Sequence, residues 1–334
     1  MTFEIKENNF YKDGRPIKLI SGAVHYFRNM PDTWPDIFAK LAALGCNCVE
    51  TYCAWNLHEP RPGEFDFSGR LDIEAFLCEA EKAGLMAIVR PGPYICAEWE
   101  FGGLPWWIQT DDDIEIRYMN KAYIEHFDKY LDVLLAKVRP HLATNGGNVI
   151  MLQCENEYGY YGDDKKYLAY LRDGYRTRGI DVPLFTSDGT SFTDLADGTV
   201  DGCLATLNFG SRVAENFAAH DKLFPNVPKM CMEMWDGWFD AWGDEKHHTT
   251  DASAYAGVVR DMLAKGSLNM YMFIGGTNFG FTSGAKHGTV KILCFPFEKH
   301  ARQWGKLPER YNNDTANQPR TERMYYNGTE RKDP

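Results

Sequence analysis

Short apolar runs alternate along the chain with longer stretches in which apolar residues recur every three or four positions. Eight runs read as strands: 19–27 (LISGAVHYF), 46–53 (CNCVETYC), 85–91 (LMAIVRP), 148–157 (NVIMLQCENE), 182–188 (VPLFTSD), 203–209 (CLATLNF), 227–235 (VPKMCMEMW) and 268–276 (LNMYMFIGG). Their near-continuous apolarity, in place of an in–out alternation, marks strands buried on both faces, as in a parallel sheet covered by helices. Between them the period changes to that of a helix. Over 34–44, Ile37, Leu41 and Leu44 share a face and Gly45 supplies the stop. Over 119–138, Tyr123, Phe127, Leu131, Leu134 and Val138 do the same, and the pattern ends before Pro140. Asp13-Gly14 predicts a hairpin ahead of the repeat. Eight such units predict an α/β fold, a closed (β/α)8 TIM barrel in preference to an open doubly wound sheet.

Composition narrows the chemistry. The 36 Lys and Arg against 47 Asp and Glu leave a net charge of −11, which argues against a grip on nucleic-acid phosphates. No stretch approaches about 18 apolar residues, so no membrane span is expected. The start MTFEIKENNFYKDG lacks a basic segment followed by an apolar run, and the expected location is cytoplasmic. Nine cysteines without paired metal-ligand spacing predict buried free thiols, not disulfides or zinc. His247-His248 reads as a polar loop before a metal site, and Gly275 to Gly280 lacks the lysine of a phosphate loop. No cofactor and no metal are expected.

In a barrel of this kind catalytic groups sit at the C-terminal ends of the strands. Polar residues gather there: His25 and Arg28, Glu50 to Glu59, Arg90 to Glu100, Glu155 to Glu157, Asn208, and Glu233 to Asp236. So do aromatics, among them Tyr52, Trp55, Tyr94, Trp99, Trp106, Trp107, Tyr158, Trp235 and Trp238. Rings beside carboxylates and amides suit a carbohydrate, whose C–H faces stack while its hydroxyls take directional hydrogen bonds. Cleavage of a glycosidic bond with retention needs two carboxyls, one to protonate the leaving oxygen and one to attack the anomeric carbon. Glu157 and Glu233 fall at the ends of the fourth and seventh strands. Unbroken alternation would place Glu155 on the same face as Glu157, so spacing leaves those two tied.

The segments SGAVHYFR, ETYCAWNLHEP, RPGPYICAEWEFGGLPWW, QCENEYG, EMWDGWF and YMFIGGTNFGF, in this order over about 10–285, resemble the signature segments of family 35 glycoside hydrolases, the β-galactosidases with a (β/α)8 catalytic barrel. The resemblance implies a retaining, exo-acting enzyme in which Glu157 is the acid/base and Glu233 the nucleophile, with Glu155 left as a structural support. It implies galactose contacts from Tyr52, Ile95, Cys96, Ala97, Glu98, Asn156, Asn208, Trp238 and Tyr271, the partner being a β-galactoside oligosaccharide or glycoconjugate. Cys96 also reads as a buried thiol that offers its backbone, Tyr271 as a core aromatic and His58 as a hydrogen-bonding strut.

Past residue 285 the pattern departs from the family's. Residues 286–334 carry 10 Lys and Arg against 6 Asp and Glu, whereas 1–285 carry 26 against 41. The resemblance implies a following TSYDYDAP-like segment, a last barrel helix and β-rich accessory domains, none of which is visible. The division expected is therefore a catalytic barrel over 1–285 and an atypical, poorly ordered tail over 286–334, a truncated or frame-shifted end that leaves apolar surface on strands one, seven and eight thinly covered. Such an end also suggests a galactoside-binding barrel with weak or no turnover, and the glycone could be another sugar such as glucosamine.

Overall fold

The computed structural model describes residues 1–292 except Glu7, Trp242, Gly243, Phe281, Ser283, Gly284, His287 and Gly288. The chain opens with an antiparallel meander of β1 (Phe3–Lys6), β2 (Asn9–Lys12) and β3 (Arg15–Ile17). Asp13 and Gly14 join β2 to β3 with φ of 50° and 74°, the left-handed pair that a two-residue hairpin turn demands.

Then come β4 (Ile20–Val24), β5 (Cys48–Tyr52), β6 (Met86–Arg90), β7 (Val149–Gln153), β8 (Leu184–Asp188), β9 (Cys203–Asn208), β10 (Met230–Trp235), β11 (Asp240–Ala241), β12 (Ser267–Ile274), β13 (Ala285–Lys286) and β14 (Thr289–Ile292). The helices are α1 (Trp34–Ala43), α2 (Trp55–His58), α3 (Ile73–Lys82), α4 (Lys121–Val138), α5 (Lys165–Thr177), α6 (Phe192–Gly198), α7 (Val213–Leu223) and α8 (Ala252–Lys265). Strands β4 to β10 and β12 pair in parallel and close as β10-β12-β4-β5-β6-β7-β8-β9. All eight expected strands are present, each shorter than its apolar run. Most of their residues are buried, as the continuous apolarity required. Among the described residues no helix is long and apolar enough to cross a membrane. The eight described cysteines are all free.

Helix α4 buries the five residues whose spacing announced it, and Asn120 caps it by accepting from the Tyr123 amide at 3.0 Å. In α1, Ile37 and Leu41 enter the core but Leu44 does not. The helix ends at Ala43, so the residue expected to complete the apolar face turns outward. Leu44 instead borders a cavity of about 420 Å³ between α1 and α8, floored by Ile20, Leu268, Met270 and Phe273. Ile20 of β4 and Leu268, Met270 and Phe273 of β12 line this cavity, and no residue of β10 does. Of the tail, Lys286 belongs to β13 and Thr289–Ile292 form β14, which pairs antiparallel with β11 and β13; the expectation for the rest of 286–334 lies outside the described residues.

The seam that closes the barrel is packed tightly at Gly22. A Cβ on Gly22 would lie 2.7 Å from Leu41 Cδ1 and 2.8 Å from Phe273 Cβ, with no flexible chain end able to yield on the Phe273 side. Gly22→Ala is therefore expected to destabilise the fold by about 1–3 kcal/mol, read from urea or thermal denaturation; an unchanged midpoint would contradict a close-packed seam.

Candidate active site

Strand β7 ends at Gln153, and from there the backbone leaves the extended region. Glu155 and Glu157 have φ of 58° and 49°. The two-residue alternation of a strand therefore does not extend to them, and their carboxylates part company. Glu155 turns away from the barrel mouth into a buried fork. Its Oε1 accepts from Arg117 Nε at 3.1 Å and from the Tyr167 hydroxyl at 2.8 Å, while Oε2 accepts from Arg117 Nη2 at 2.9 Å and from the Asn156 amide at 2.8 Å. Four charge-assisted bonds use up its acceptor capacity.

Glu157 faces the other way, into a cavity of about 540 Å³ at the C-terminal end of the barrel. Glu233, near the end of β10, lines the same cavity, together with Cys96, Ala97, Glu98, Trp238 and Tyr271. The two carboxyls have different surroundings. Glu157 Oε1 accepts one bond, from Asn208 Nδ2 at 3.0 Å. Burial, and then the charge of Glu233, pushes its carboxyl up to about 7. Glu233 meets donors on both oxygens: the Tyr52 hydroxyl at 2.8 Å and Arg90 Nη2 at 3.0 Å on Oε1, and Trp235 Nε1 at 3.3 Å on Oε2.

Strand register sets these meetings. Tyr52 pairs with Arg90 across β5 and β6, and Asn208 pairs with Glu233 across β9 and β10. Each pair stands at one level of the barrel. The Arg90 guanidinium lies 3.9 Å from the centre of the Tyr52 ring. Asn156 Oδ1 accepts from Arg90 Nη2 at 2.7 Å and from Gln153 Nε2 at 3.2 Å, which leaves its buried Nδ2 without a partner among the described residues.

Of the residues implied to contact galactose, the structure brings Cys96, Ala97, Glu98, Trp238 and Tyr271 to the cavity wall. Tyr52, Asn156 and Asn208 stand behind the carboxylates as their hydrogen-bond partners or neighbours. Ile95 goes elsewhere: it is fully buried, its side chain packs against Gly103, and its amide donates to the Gly102 carbonyl at 2.8 Å. His58 is a buried strut between the Tyr26 hydroxyl and the Asp66 carbonyl, its ring stacked on Phe67. His247 and His248 both bond the Asp240 carboxylate.

Three charged residues escaped individual notice in the sequence. Arg90 and Glu50 do leave a trace, since each is an ionisable residue inside an otherwise apolar strand. Arg117 leaves none, being one polar residue in a polar loop. Strain also concentrates here: seven of the ten described non-glycine residues with positive φ, namely Cys96, Ala97, Glu98, Phe101, Arg117, Glu155 and Glu157, belong to the loops around this cavity.

The model of the family "Glycosyl hydrolases family 35" matches residues 9–312. Proteins named beta-galactosidase from Bos taurus, Homo sapiens and Xanthomonas manihotis are 45%, 42% and 47% identical to the chain, over 93%, 92% and 85% of its length. These alignments take in 48%, 47% and 48% of the relatives, so the chain spans about half the length of the curated relatives it matches. Two solved structures share the fold: GH5_18 from Streptomyces cattleya in complex with GlcNAc, and the exo-beta-1,4-mannosidase Op5Man5 from an Opitutaceae bacterium. Their TM-scores are 0.56 and 0.58, at 13% and 16% identity, over 87% and 82% of this chain and 82% and 55% of theirs.

The contrast between the two neighbouring carboxylates can be measured. Glu155→Ala strands the buried Arg117 guanidinium and is expected to cost about 3–5 kcal/mol of stability. Glu157→Gln keeps the Asn208 contact and should stay within about 1 kcal/mol of the wild type. Equal losses in chemical denaturation would refute the division.

Proposed function

Because the chain belongs to glycosyl hydrolases family 35, we propose that it hydrolyses terminal non-reducing β-galactosides, as a retaining, exo-acting enzyme. The names of its relatives support the substrate class, and one observation carries the mechanism. Two carboxyls, one in the turn after β7 and one near the end of β10, line a single cavity in unlike environments.

Glu157, buried and up at about 7, is suited to hold a proton near neutrality and deliver it to the glycosidic oxygen. Glu233, oriented by Arg90, Tyr52 and Trp235, attacks the anomeric carbon. The bond to the aglycone breaks as the glycosyl–enzyme ester forms. Glu157, now deprotonated, takes a proton from water, which attacks the same carbon from the face the aglycone left and releases Glu233. Asn156 and Asn208, behind the carboxylates, hold Arg90 and Glu157 in place. Glu98 and Tyr271 offer a carboxylate and a phenol on the opposite wall. A cavity of about 540 Å³ matches the usual volume of small-molecule sites.

The proposal fixes a pH dependence. Glu157 acts as an acid only while protonated, so kcat/KM for a β-galactosyl disaccharide should fall as pH rises through about 7. Glu157→Gln should lower that rate by about 10²–10⁴-fold, whereas for an aryl galactoside that departs without protonation its kcat/KM should stay close to that of the wild type. Glu233→Ala should lose turnover, and NMR of the wild-type reaction should show the β-anomer as the first sugar released. An α-anomer, or a Glu233→Ala enzyme with full activity, would overturn the mechanism.

A further inference from the structure

The cavity has two walls of different composition. On one, Glu98, Tyr271 and Arg28 interact with one another beside Glu233, and Arg28 also holds the Ala97 carbonyl. On the other stand Glu157 and the turn that follows it, Tyr158–Tyr160, whose Tyr160 amide donates to the Glu157 carbonyl at 3.2 Å. An acid that protonates the departing oxygen must sit beside the aglycone. The wall that carries Glu157 is therefore the leaving-group wall.

The aromatic rings around the cavity are mostly committed. Arg117 covers the rings of Tyr94 and Tyr161 at 4.1 Å and 4.3 Å. Trp238 meets the edge of Trp235 at 6.0 Å and lies 4.9 Å from Phe239, and Tyr271 packs on His25 and Tyr52. Tyr160 is different. Its side chain lines the cavity, is 60% exposed, and pairs with no ring or cation among the described residues.

It is also held still. The Glu157 amide donates to the Ser187 carbonyl at 2.9 Å and the Gly159 amide to Asp188 Oδ1 at 3.1 Å, which ties the turn to the end of β8. The Tyr160 hydroxyl end rests on Gly189, where a Cβ would lie 2.0 Å from its oxygen. Beyond Gly189, Ser191 and Asp194 cap α6 reciprocally, so the support is itself rigid. The hydroxyl is pushed up to about 12, by burial and then by the carboxylates of Glu157, Asp194 and Asp188, in keeping with a phenol that stays neutral. A fixed ring with an unoccupied face loses little freedom on binding.

Resting on the reading of Glu157 as the acid, we propose that Tyr160 is the stacking platform for the leaving group, selecting aglycones that present a flat apolar face, an aromatic ring or the C–H face of a pyranose, over short alkyl alcohols. The test compares kcat/KM for methyl β-galactoside and for a β-galactosyl-glucose disaccharide in the wild type, Tyr160→Phe and Tyr160→Ala. The loss in Tyr160→Ala should be about 2- to 10-fold greater for the disaccharide than for the methyl glycoside. Tyr160→Phe, which keeps the ring, should retain the wild-type preference. Equal losses on both substrates, or a Tyr160→Phe enzyme as indifferent as Tyr160→Ala, would overturn the assignment. A wild type that hydrolyses neither substrate would overturn the reading of the site along with it, an outcome separable from the other two because it needs no variant.

Discussion

A guanidinium removed from water needs partners, and much of the barrel mouth is arranged around Arg90. Its Nε donates to Gln153, its Nη2 reaches Asn156 at 2.7 Å and Glu233 at 3.0 Å, and its Nη1 lies 3.7 Å from Glu50. The Tyr52 ring covers one face. These partners come from β5, β7, β10 and the turn after β7, so one side chain of β6 fixes the relative height of four elements. A buried ion pair adds little net stability over an apolar replacement, but removing one partner is severe, and a network of this kind enforces one arrangement. Glu50 shares the cation with Glu233 and, buried with one oxygen lacking a hydrogen bond, is pushed up to about 7.

The same logic, repeated outside the barrel, separates two glutamates that sit one residue apart. Arg117 neutralises Glu155 and is itself held between the Tyr94 and Tyr161 rings. Among the described residues Glu157 has no such cation within hydrogen-bonding reach, and it lines the cavity. Charge compensation, not position in the sequence, decides which carboxyl is left facing the cavity.

That explains what could be read in the chain and what could not. The eight strands and helix α4 were legible because burial on two faces, or on one helical stripe, writes a period into the residues themselves. The Glu155–Glu157 tie could not be broken by period, since both residues occupy left-handed backbone beyond the end of β7, where no period holds. Only the resemblance of QCENEYG to a family motif separated them. Leu44 misled because the helical stripe was continued one residue past the turn that ends α1. Ile95 came in with its neighbours Cys96 and Ala97, yet three consecutive positive φ values from Cys96 to Glu98 reverse the chain there and send Ile95 inward to Gly103. Arg117 could not be found from its surroundings in sequence, because its partners come from two distant segments, Tyr94 and the stretch from Glu155 to Tyr161.

Gly22 belongs to the seam on which β4 meets β12, where Ile20 stands opposite Leu268. Those residues are about 250 positions apart, so the contact that closes the barrel is also one of its most non-local, and no neighbouring pair in sequence can offset the entropy of bringing it together. During synthesis at about 5–20 residues per second, β4 waits on the order of 10–50 s before its partner exists. Until then it is an unpaired apolar edge, open to the wrong strand as readily as to the right one. The dependence on the last strand of the barrel, β12, is thus a matter of timing as well as packing.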